Sequence, residues 1–148
     1  MSEIIRFAIV GFGSIGRRHA ELICKNEAAE LVAIIDTATV KSILWSNIPQ
    51  FSSLHDFFRS KIATDVVVIA SPNGLHAEHA LEAINYNCHI LIEKPLALTV
   101  LDARKIKQKA LDVGLKIFPV VQNRCSPSSI WIKDLIDSRM LGEIFIVQ

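Results

Sequence analysis

The sequence has few cysteines, and their positions do not suit cross-linking. Its three, Cys24, Cys88 and Cys125, are odd in number and far apart in a chain of 148 residues. This spacing gives neither the disulfide framework of a small secreted domain nor the CxxC pairs of a zinc site. We therefore expect reduced thiols, most of them buried.

The sequence also lacks an excess of charge of one sign. Sixteen Lys and Arg residues stand against fifteen Asp and Glu residues, so the net charge is +1. Such a chain has no strong electrostatic field with which to attract nucleic acid or an anionic membrane. We expect neither as a partner, and we interpret the basic run at 104–109 as a solvated helix face.

Long apolar runs are missing as well. The first run follows Glu3 and is broken by Gly11, well short of a membrane span, and it carries no small-residue cleavage site. We therefore expect a cytoplasmic protein. Hydrophobic residues make up 51% of the chain and charged residues 21%, a balance typical of a folded domain with a sizeable core.

Short apolar runs alternate with segments of helical period, which predicts a doubly wound α/β domain, the Rossmann fold, around a parallel sheet. Strands are expected at 4–10, 31–35, 65–70, 89–92, 116–121 and 143–148. Helices are predicted by four apolar stripes: Ile15, His19, Leu22 and Ile23; Ala77, Ala80, Leu81 and Ile84; Ala103, Ile106, Ala110 and Val113; and Ile132, Leu135 and Ile136. Thr99 and Ser126 are expected to cap two of them, and a short helix is expected near 54–58.

The first chemical signal is a glycine pattern between the first strand and the first helix. In FAIVGFGSIGRRH, Gly11, Gly13 and Gly16 form GxGxxG. The first glycine permits a tight turn, the second lets the backbone approach a diphosphate, and the third lets helix and strand pack closely. The start of the helix then offers free amides and a positive dipole end to the diphosphate.

An acidic residue strengthens this interpretation. Asp36 ends the second strand twenty residues beyond Gly16, where a carboxylate can accept both ribose hydroxyls of an adenosine. The alternative is that the glycines only make a turn and Asp36 caps a strand. Thr37 and Ala38 offer no cation for a 2′-phosphate, so NAD is favoured over NADP, although Lys41 is near enough in sequence to reach one.

The second signal is VVVIASPNGLHAEHA, in which a strand enters a turn and then a helix. The carboxyl end of a parallel strand faces the ligand crevice, so Ser71, Pro72 and Asn73 are expected near the cofactor. His76 is either a residue by the active site or simply a capping or surface histidine, and His79 is expected to pack. The two histidines form HxxH, but without a third ligand they do not predict a metal site.

The next strand ends in Glu93, Lys94 and Pro95. A lysine in the crevice could hydrogen-bond a substrate hydroxyl and relay its proton as a carbonyl forms. Proline stiffens the turn, and the Lys94–Pro95 bond is a candidate for the cis form. The alternative is a solvated strand end with a Glu–Lys pair.

Taken together, GxGxxG, Asp36, SPNGLHAEHALEAI and EKPLALT resemble the Gfo/Idh/MocA family of NAD(P)-dependent oxidoreductases across nearly the whole chain. The resemblance implies that Lys94 is catalytic and that the loops after the strands hold the nicotinamide. The implied cofactor-binding residues are Gly11, Phe12, Gly13, Ser14, Ile15, Gly16, Asp36, Ser71, Pro72, Asn73, His76, Glu93, Lys94 and Gln122.

The stretch after residue 120 resembles a subgroup that acts on nucleotide-linked sugars in bacterial surface-polysaccharide (lipopolysaccharide) synthesis, especially 3-dehydrogenases of uronic acids derived from UDP-N-acetylglucosamine. This resemblance implies a substrate role for Lys94, Asn123 and Arg124. Cys125 stands where an aromatic residue is expected.

Family members continue into a second, sheet-rich domain that binds the substrate. We therefore expect residues 1–121 to form the NAD-binding domain, and 122–148 to hold a crossover helix and the first strand of a truncated domain. NAD binding with little turnover is expected of this chain alone, and a homo-oligomer is expected through the last strand, which would otherwise expose an unpaired edge. The alternative is a non-catalytic NAD-sensing module that acts through a protein partner.

Overall fold

A computed structural model describes residues 4–146 of the chain. Its strands are β1 (Ile5–Val10), β2 (Ala29–Ile35), β3 (Gln50–Phe51), β4 (Val66–Ile69), β5 (His89–Ile92) and β6 (Ile117–Pro119). Its helices are α1 (Ser14–Cys24), α2 (Leu54–Arg59), α3 (His76–Asn85), α4 (Val100–Asp112) and α5 (Pro127–Asp137). Short 3₁₀ turns occur at Ile43–Trp45, Asn73–Leu75 and Gln122–Cys125.

The six strands form one parallel sheet in the order β3-β2-β1-β4-β5-β6. The chain builds outward from β1 in one direction through β2 and β3, and then in the other through β4, β5 and β6. This confirms the predicted doubly wound α/β fold. The reversal of direction beside β1 opens a crevice at the carboxyl ends of the strands, which is where such sheets bind ligands.

The central strands of the sheet are buried on both faces, as their apolar residues require. On one face, α2, α3 and α4 cover a cluster that includes Val67, Ile90 and Ile106, all without solvent exposure. On the other face, α1 covers Ile9 and Ile34, which are also fully buried. The two layers fix the carboxyl ends of β1, β2, β4 and β5 relative to one another.

Polar side chains mark the starts of three helices. Ser53 accepts a hydrogen bond from the amide of Asp56 at 3.1 Å and so begins α2. Thr99 accepts one from the amide of Asp102 at 3.1 Å, and Ser126 accepts one from the amide of Ser129 at 3.2 Å. The predicted caps at Thr99 and Ser126 are therefore confirmed, and each satisfies an amide that the helix itself leaves unpaired.

Several predicted burial patterns are wrong. Cys88 is buried, but Cys24 and Cys125 are exposed, so most of the thiols are not buried. All three are free. Five residues of the predicted helical stripes are also exposed: Ile15, Leu22, Val113, Ile132 and Ile136. The period identified a helix face correctly, but it did not show how far the core extends beneath that face.

The strand predicted at 143–148 is absent over residues 143–146. Residues 147–148 lie outside the described residues. Phe145 and Ile146 are largely exposed, and residues 143–146 do not pair with any strand of the sheet.

β3, in contrast, was not predicted. It has two residues and pairs with Ile34 and Ile35 of β2. In the part of the chain described here, no helix is both long and apolar enough to cross a membrane.

Candidate functional site

A cavity of about 670 Å³ lies at the carboxyl edge of the sheet, between the ends of β1, β2 and β4 and the starts of α1, α2 and α3. It brings together seven of the predicted site residues: Gly11, Gly13, Ser14, Ile15, Asp36, Ser71 and Pro72. It is also lined by Ser52, Ser53, Leu54, His55, Leu75, Glu78, His79 and Glu82, which were not predicted. A strand of two residues leads to the 52–55 segment, so the sequence carried no periodic signal that could place it.

Of the three glycines in the loop, two are crowded by neighbouring backbone atoms and one has open space beside it. Gly11 has a φ of +86°, and a Cβ on it would lie 2.5 Å from the backbone of Ser71. A Cβ on Gly16 would lie 2.0 Å from the carbonyl oxygen of Gly11. A Cβ on Gly13 would meet no atom within 4 Å. Gly11 and Gly16 therefore close the turn, and Gly13 leaves space at the start of α1.

The start of α1 is suited to an anion. Gly13 occupies the position before the helix, and no side chain caps the helix amides there. The first turn of α1 contains no acidic residue. Unpaired amides and the positive end of the helix dipole favour a phosphate group at this place. The open side of Gly13, the uncapped amides and the adjoining cavity together fit a dinucleotide diphosphate.

Asp36 is fixed by two backbone amides. Its Oδ2 accepts a hydrogen bond from the amide of Phe12 at 2.6 Å, and its Oδ1 accepts one from the amide of Ala38 at 2.8 Å. A carboxylate oxygen has a second lone pair, so Asp36 can still accept hydrogen bonds from the cavity. Phe12 does not line the cavity: its ring is buried against Trp45, with centroids 5.5 Å apart. Its amide instead ties the glycine loop to the end of β2.

A further part of the cavity wall comes from the loop after β4 and from α3. Ser71 is buried, and its Oγ lies 2.9 Å from Nδ1 of His79. Burial lowers the pKa of His79 from its usual 6.5. Burial, together with the nearby Glu78 carboxylate, raises the pKa of Glu82. His79 was expected only to pack, but it forms part of the cavity wall.

His76 lies behind the wall and not in the cavity. It is 1% exposed, so the surface alternative is wrong. Its Nδ1 lies 2.7 Å from the carbonyl oxygen of Pro95, and its Nε2 lies 2.9 Å from that of Ser71. A neutral imidazole can donate to one of these oxygens, whereas an imidazolium donates to both. Asn73 is exposed in the turn before α3 and does not line the cavity.

The turn after β5 lies at the same edge of the sheet. The amide of Glu93 donates to the carbonyl of Ile69 at 3.0 Å, which places Glu93 beside the end of β4. Its Oε1 lies 2.8 Å from Nε2 of His19, and both side chains are largely buried. The sequence pattern places His19 only in the apolar stripe of α1. Its contact is 74 residues away in sequence, so the local pattern contained no signal for it.

Lys94 is exposed. No ion pair or side-chain hydrogen bond of Lys94 occurs within residues 4–146, so the Glu–Lys pair of the alternative interpretation is absent there. The Lys94–Pro95 peptide bond is cis. This is the form for which the sequence made it a candidate. Neither Glu93 nor Lys94 lines the 670 Å³ cavity. The cavity therefore does not extend to the turn that carries Lys94.

The remaining candidates follow β6. Gln122, Asn123 and Arg124 occupy the 3₁₀ turn with Cys125, and all four are exposed. The amide of Val120 donates to the carbonyl of Ile92 at 2.8 Å, so this turn leaves the sheet beside the end of β5. Its side chains do not line the cavity. Over residues 4–146, no group of three or more His, Cys, Asp or Glu side chains could hold a metal ion.

Comparison with known proteins adds an independent line of evidence. Residues 5–120 match the model of the Gfo/Idh/MocA family, described as an oxidoreductase family with an NAD-binding Rossmann fold. The D-glucoside 3-dehydrogenase of Escherichia coli (strain K12) is 29% identical, over 98% of this chain and 42% of that protein. The inositol 2-dehydrogenase of Rubrobacter xylanophilus is 34% identical, over 95% of this chain and 42% of that protein.

A solved structure gives a similar result. The WlbA dehydrogenase from Bordetella pertussis, in complex with NADH and UDP-GlcNAcA, is 31% identical and superposes with a TM-score of 0.90. The match covers 97% of this chain and 45% of the WlbA chain. The chain therefore spans less than half the length of these relatives.

Proposed function

This chain belongs to the Gfo/Idh/MocA oxidoreductase family with its NAD-binding Rossmann fold, and from this premise we propose that it is the cofactor-binding part of a dehydrogenase. The proposed reaction moves a hydride between NAD and a hydroxyl-bearing carbon of a sugar or nucleotide-linked sugar. The observation that carries the proposal is the position of Asp36, which the Phe12 amide of the glycine loop holds in the wall of the cavity.

The residues of the cavity have distinct parts in binding. The amides around Gly13 and Ser14 would hold the diphosphate, because they start an uncapped helix. Asp36 would accept the two ribose hydroxyls on the lone pairs that its backbone contacts leave free. Ser71 and Pro72 would form the part of the wall that lies beside Gly11.

The charge of the cavity supports NAD over NADP. No lysine or arginine is among the described residues that line it, whereas Asp36, Glu78 and Glu82 are. Lys41 is exposed and does not line it. A 2′-phosphate beside Asp36 would face a carboxylate without a compensating cation. The two negative charges would repel each other and weaken the binding of NADP.

The chemistry is assigned to the turn after β5. NAD, when bound, supplies the hydride acceptor. Lys94 would donate a hydrogen bond to the substrate oxygen and relay the hydroxyl proton as the carbonyl forms. Its exposure and lack of an ion-pair partner within the described residues leave its ammonium group available for this contact. Glu93, Asn73 and Gln122 are proposed at the nicotinamide end, and Asn123 and Arg124 on the substrate side.

The substrate class rests on the relatives. The relatives are named for a glucoside and an inositol as substrates, or are solved in complex with a UDP-sugar. All three compounds carry ring hydroxyls. Because the chain spans less than half of their length, catalytic turnover is proposed for the whole protein. For this chain alone we expect NAD binding with little turnover.

The proposal is tested by calorimetric titration of NAD into the wild-type chain and into Asp36→Ala. Loss of two hydrogen bonds to a charged acceptor, at about 1.5 kcal/mol each, weakens NAD affinity on the order of 100-fold. Asp65→Ala is the matched control, because it also removes a carboxylate that accepts a backbone amide, that of Arg6 at 2.8 Å, but at the opposite edge of the sheet. Unchanged affinity in Asp36→Ala would remove the ribose assignment.

A further inference from the structure

We propose that His19 and His76 are positioning residues that hold the turn bearing Lys94 from its two sides. The inference rests on the proposed function, since it assumes that Lys94 is the residue to be positioned. Neither histidine lines the cavity, so their role would be exerted through Glu93 and Pro95, the two neighbours of Lys94 in the chain.

The turn has little backbone support of its own. The amide of Glu93 makes the last sheet hydrogen bond of β5, and α4 does not begin until Thr99 caps it. Between these points, residues 94–98 make no backbone–backbone hydrogen bond to the described part of the chain. A lysine side chain is long and flexible, so where its ammonium group can reach depends on how firmly this backbone is held.

His19 holds the first side of the turn. It projects from α1, the helix whose first amides are proposed to bind the diphosphate, and its Nε2 lies 2.8 Å from Oε1 of Glu93. The side chains of His19 and Glu93 are 17% and 15% exposed, so solvent competes weakly for the contact. The pair links the diphosphate helix directly to the residue before Lys94.

His76 holds the second side. Its Nδ1 contacts the carbonyl of Pro95, and its Nε2 contacts that of Ser71. One fully buried ring thus joins the turn after β5 to the loop after β4. Its contact with Pro95 is the one hydrogen bond in which residues 94–98 take part within residues 4–146. Removing this contact should loosen the turn while leaving the sheet intact.

The two nitrogens of His76 can be tested separately. An asparagine amide nitrogen occupies roughly the place of Nδ1, and a glutamine amide nitrogen occupies roughly that of Nε2. His76→Asn should therefore place a donor at the Pro95 carbonyl, whereas His76→Gln should place a donor only at the Ser71 carbonyl. By the same reasoning His19→Gln keeps a donor for Glu93, whereas His19→Leu removes it.

The first measurement is ¹⁵N relaxation of the Lys94 and Leu96 amides without ligand. We expect order parameters near 0.85 in the wild type, His76→Asn and His19→Gln, and below about 0.6 in His76→Gln and His19→Leu. His89→Asn is the control, because His89 accepts the Lys116 amide at the opposite edge of the sheet. Order parameters that stay near 0.85 in both loosened variants would overturn the proposal. If one of them fails to fold, the other decides.

The second measurement compares the affinities for NAD and ADP-ribose, which lacks the nicotinamide. In the loosened variants we expect NAD affinity to fall to the level of ADP-ribose, with ADP-ribose affinity within about twofold of wild type. A merely structural role would lower both affinities together, which would count against positioning. A wild-type chain that shows the expected order parameters but does not bind NAD would contradict the proposed function and leave the positioning role supported.

Discussion

Replacing Gly13 by alanine should weaken NAD binding with little effect on folding, and replacing Gly16 should do the reverse. The two glycines belong to the same loop, but a Cβ on Gly13 meets no protein atom within 4 Å, whereas one on Gly16 lies 2.0 Å from the Gly11 carbonyl oxygen. Gly13 also has a φ of −69°, which alanine adopts without strain. The variants therefore separate the space for a ligand from the packing of the turn.

The magnitudes follow from these contacts. In Gly13→Ala, the new methyl group projects where the diphosphate would approach. Loss of one charge-assisted hydrogen bond costs about 1.5–3 kcal/mol, or roughly 10- to 150-fold in affinity. The fold loses about 1 kcal/mol or less, because alanine is a poorer residue than glycine before a helix. In Gly16→Ala, overpacking costs about 1–3 kcal/mol or more, offset by up to about 1 kcal/mol of helix propensity.

The assay pairs calorimetric NAD titration with thermal unfolding. For a chain of this length, each kcal/mol shifts the melting temperature by about 3 °C. We expect Gly13→Ala to melt within about 3 °C of wild type and to lose at least about tenfold in NAD affinity. Gly16→Ala should melt roughly 6 °C lower. Wild-type NAD affinity in a folded Gly13→Ala variant would refute the assignment of the loop to the diphosphate.

Two further predictions concern titratable groups. Cys24 and Cys125 should react with a thiol reagent at pH 8 in the native protein. Cys88, whose pKa burial raises to about 11, should react only after unfolding; three reactive thiols in the native state would contradict this. Burial lowers the pKa of His79 below its usual 6.5. As the pH falls through 6.5, His79 therefore binds a proton in the unfolded chain before it does so in the folded chain. His79 therefore reduces the free energy of unfolding by up to about 1.4 kcal/mol per pH unit. Denaturant titration between pH 7 and 5.5 should show a smaller loss in His79→Asn, and equal slopes would contradict the assignment.

Much of the fold was predictable because its signals are local. Four of the buried strands carry continuous apolar runs, and Thr99 and Ser126 precede helices with the chemistry of a cap. β3 was not predictable, since two residues have no period and it exists only through pairing with β2. The strand predicted at 143–148 failed for the opposite reason: its apolar residues form a pattern, but no neighbouring strand pairs with residues 143–146.

The candidate site was predicted in part. The glycine loop and Asp36 could be found because their spacing is fixed by the turn and by the first crossover. The roles of His76 and His79 could not be assigned, because the two residues lie one turn apart on the same helix. Their difference depends on the carbonyl of Pro95, 19 residues away, and His19 depends on Glu93, 74 residues away. Contacts at such separations leave no local pattern.

The most direct test of the account is a crystal structure of the chain grown with NAD. We expect the diphosphate at the amides of Gly13 and Ser14, the adenosine ribose on the carboxylate of Asp36, and the nicotinamide beside the turn that carries Lys94. A dinucleotide bound outside this crevice, or one whose nicotinamide lies away from Lys94, would contradict the proposed function.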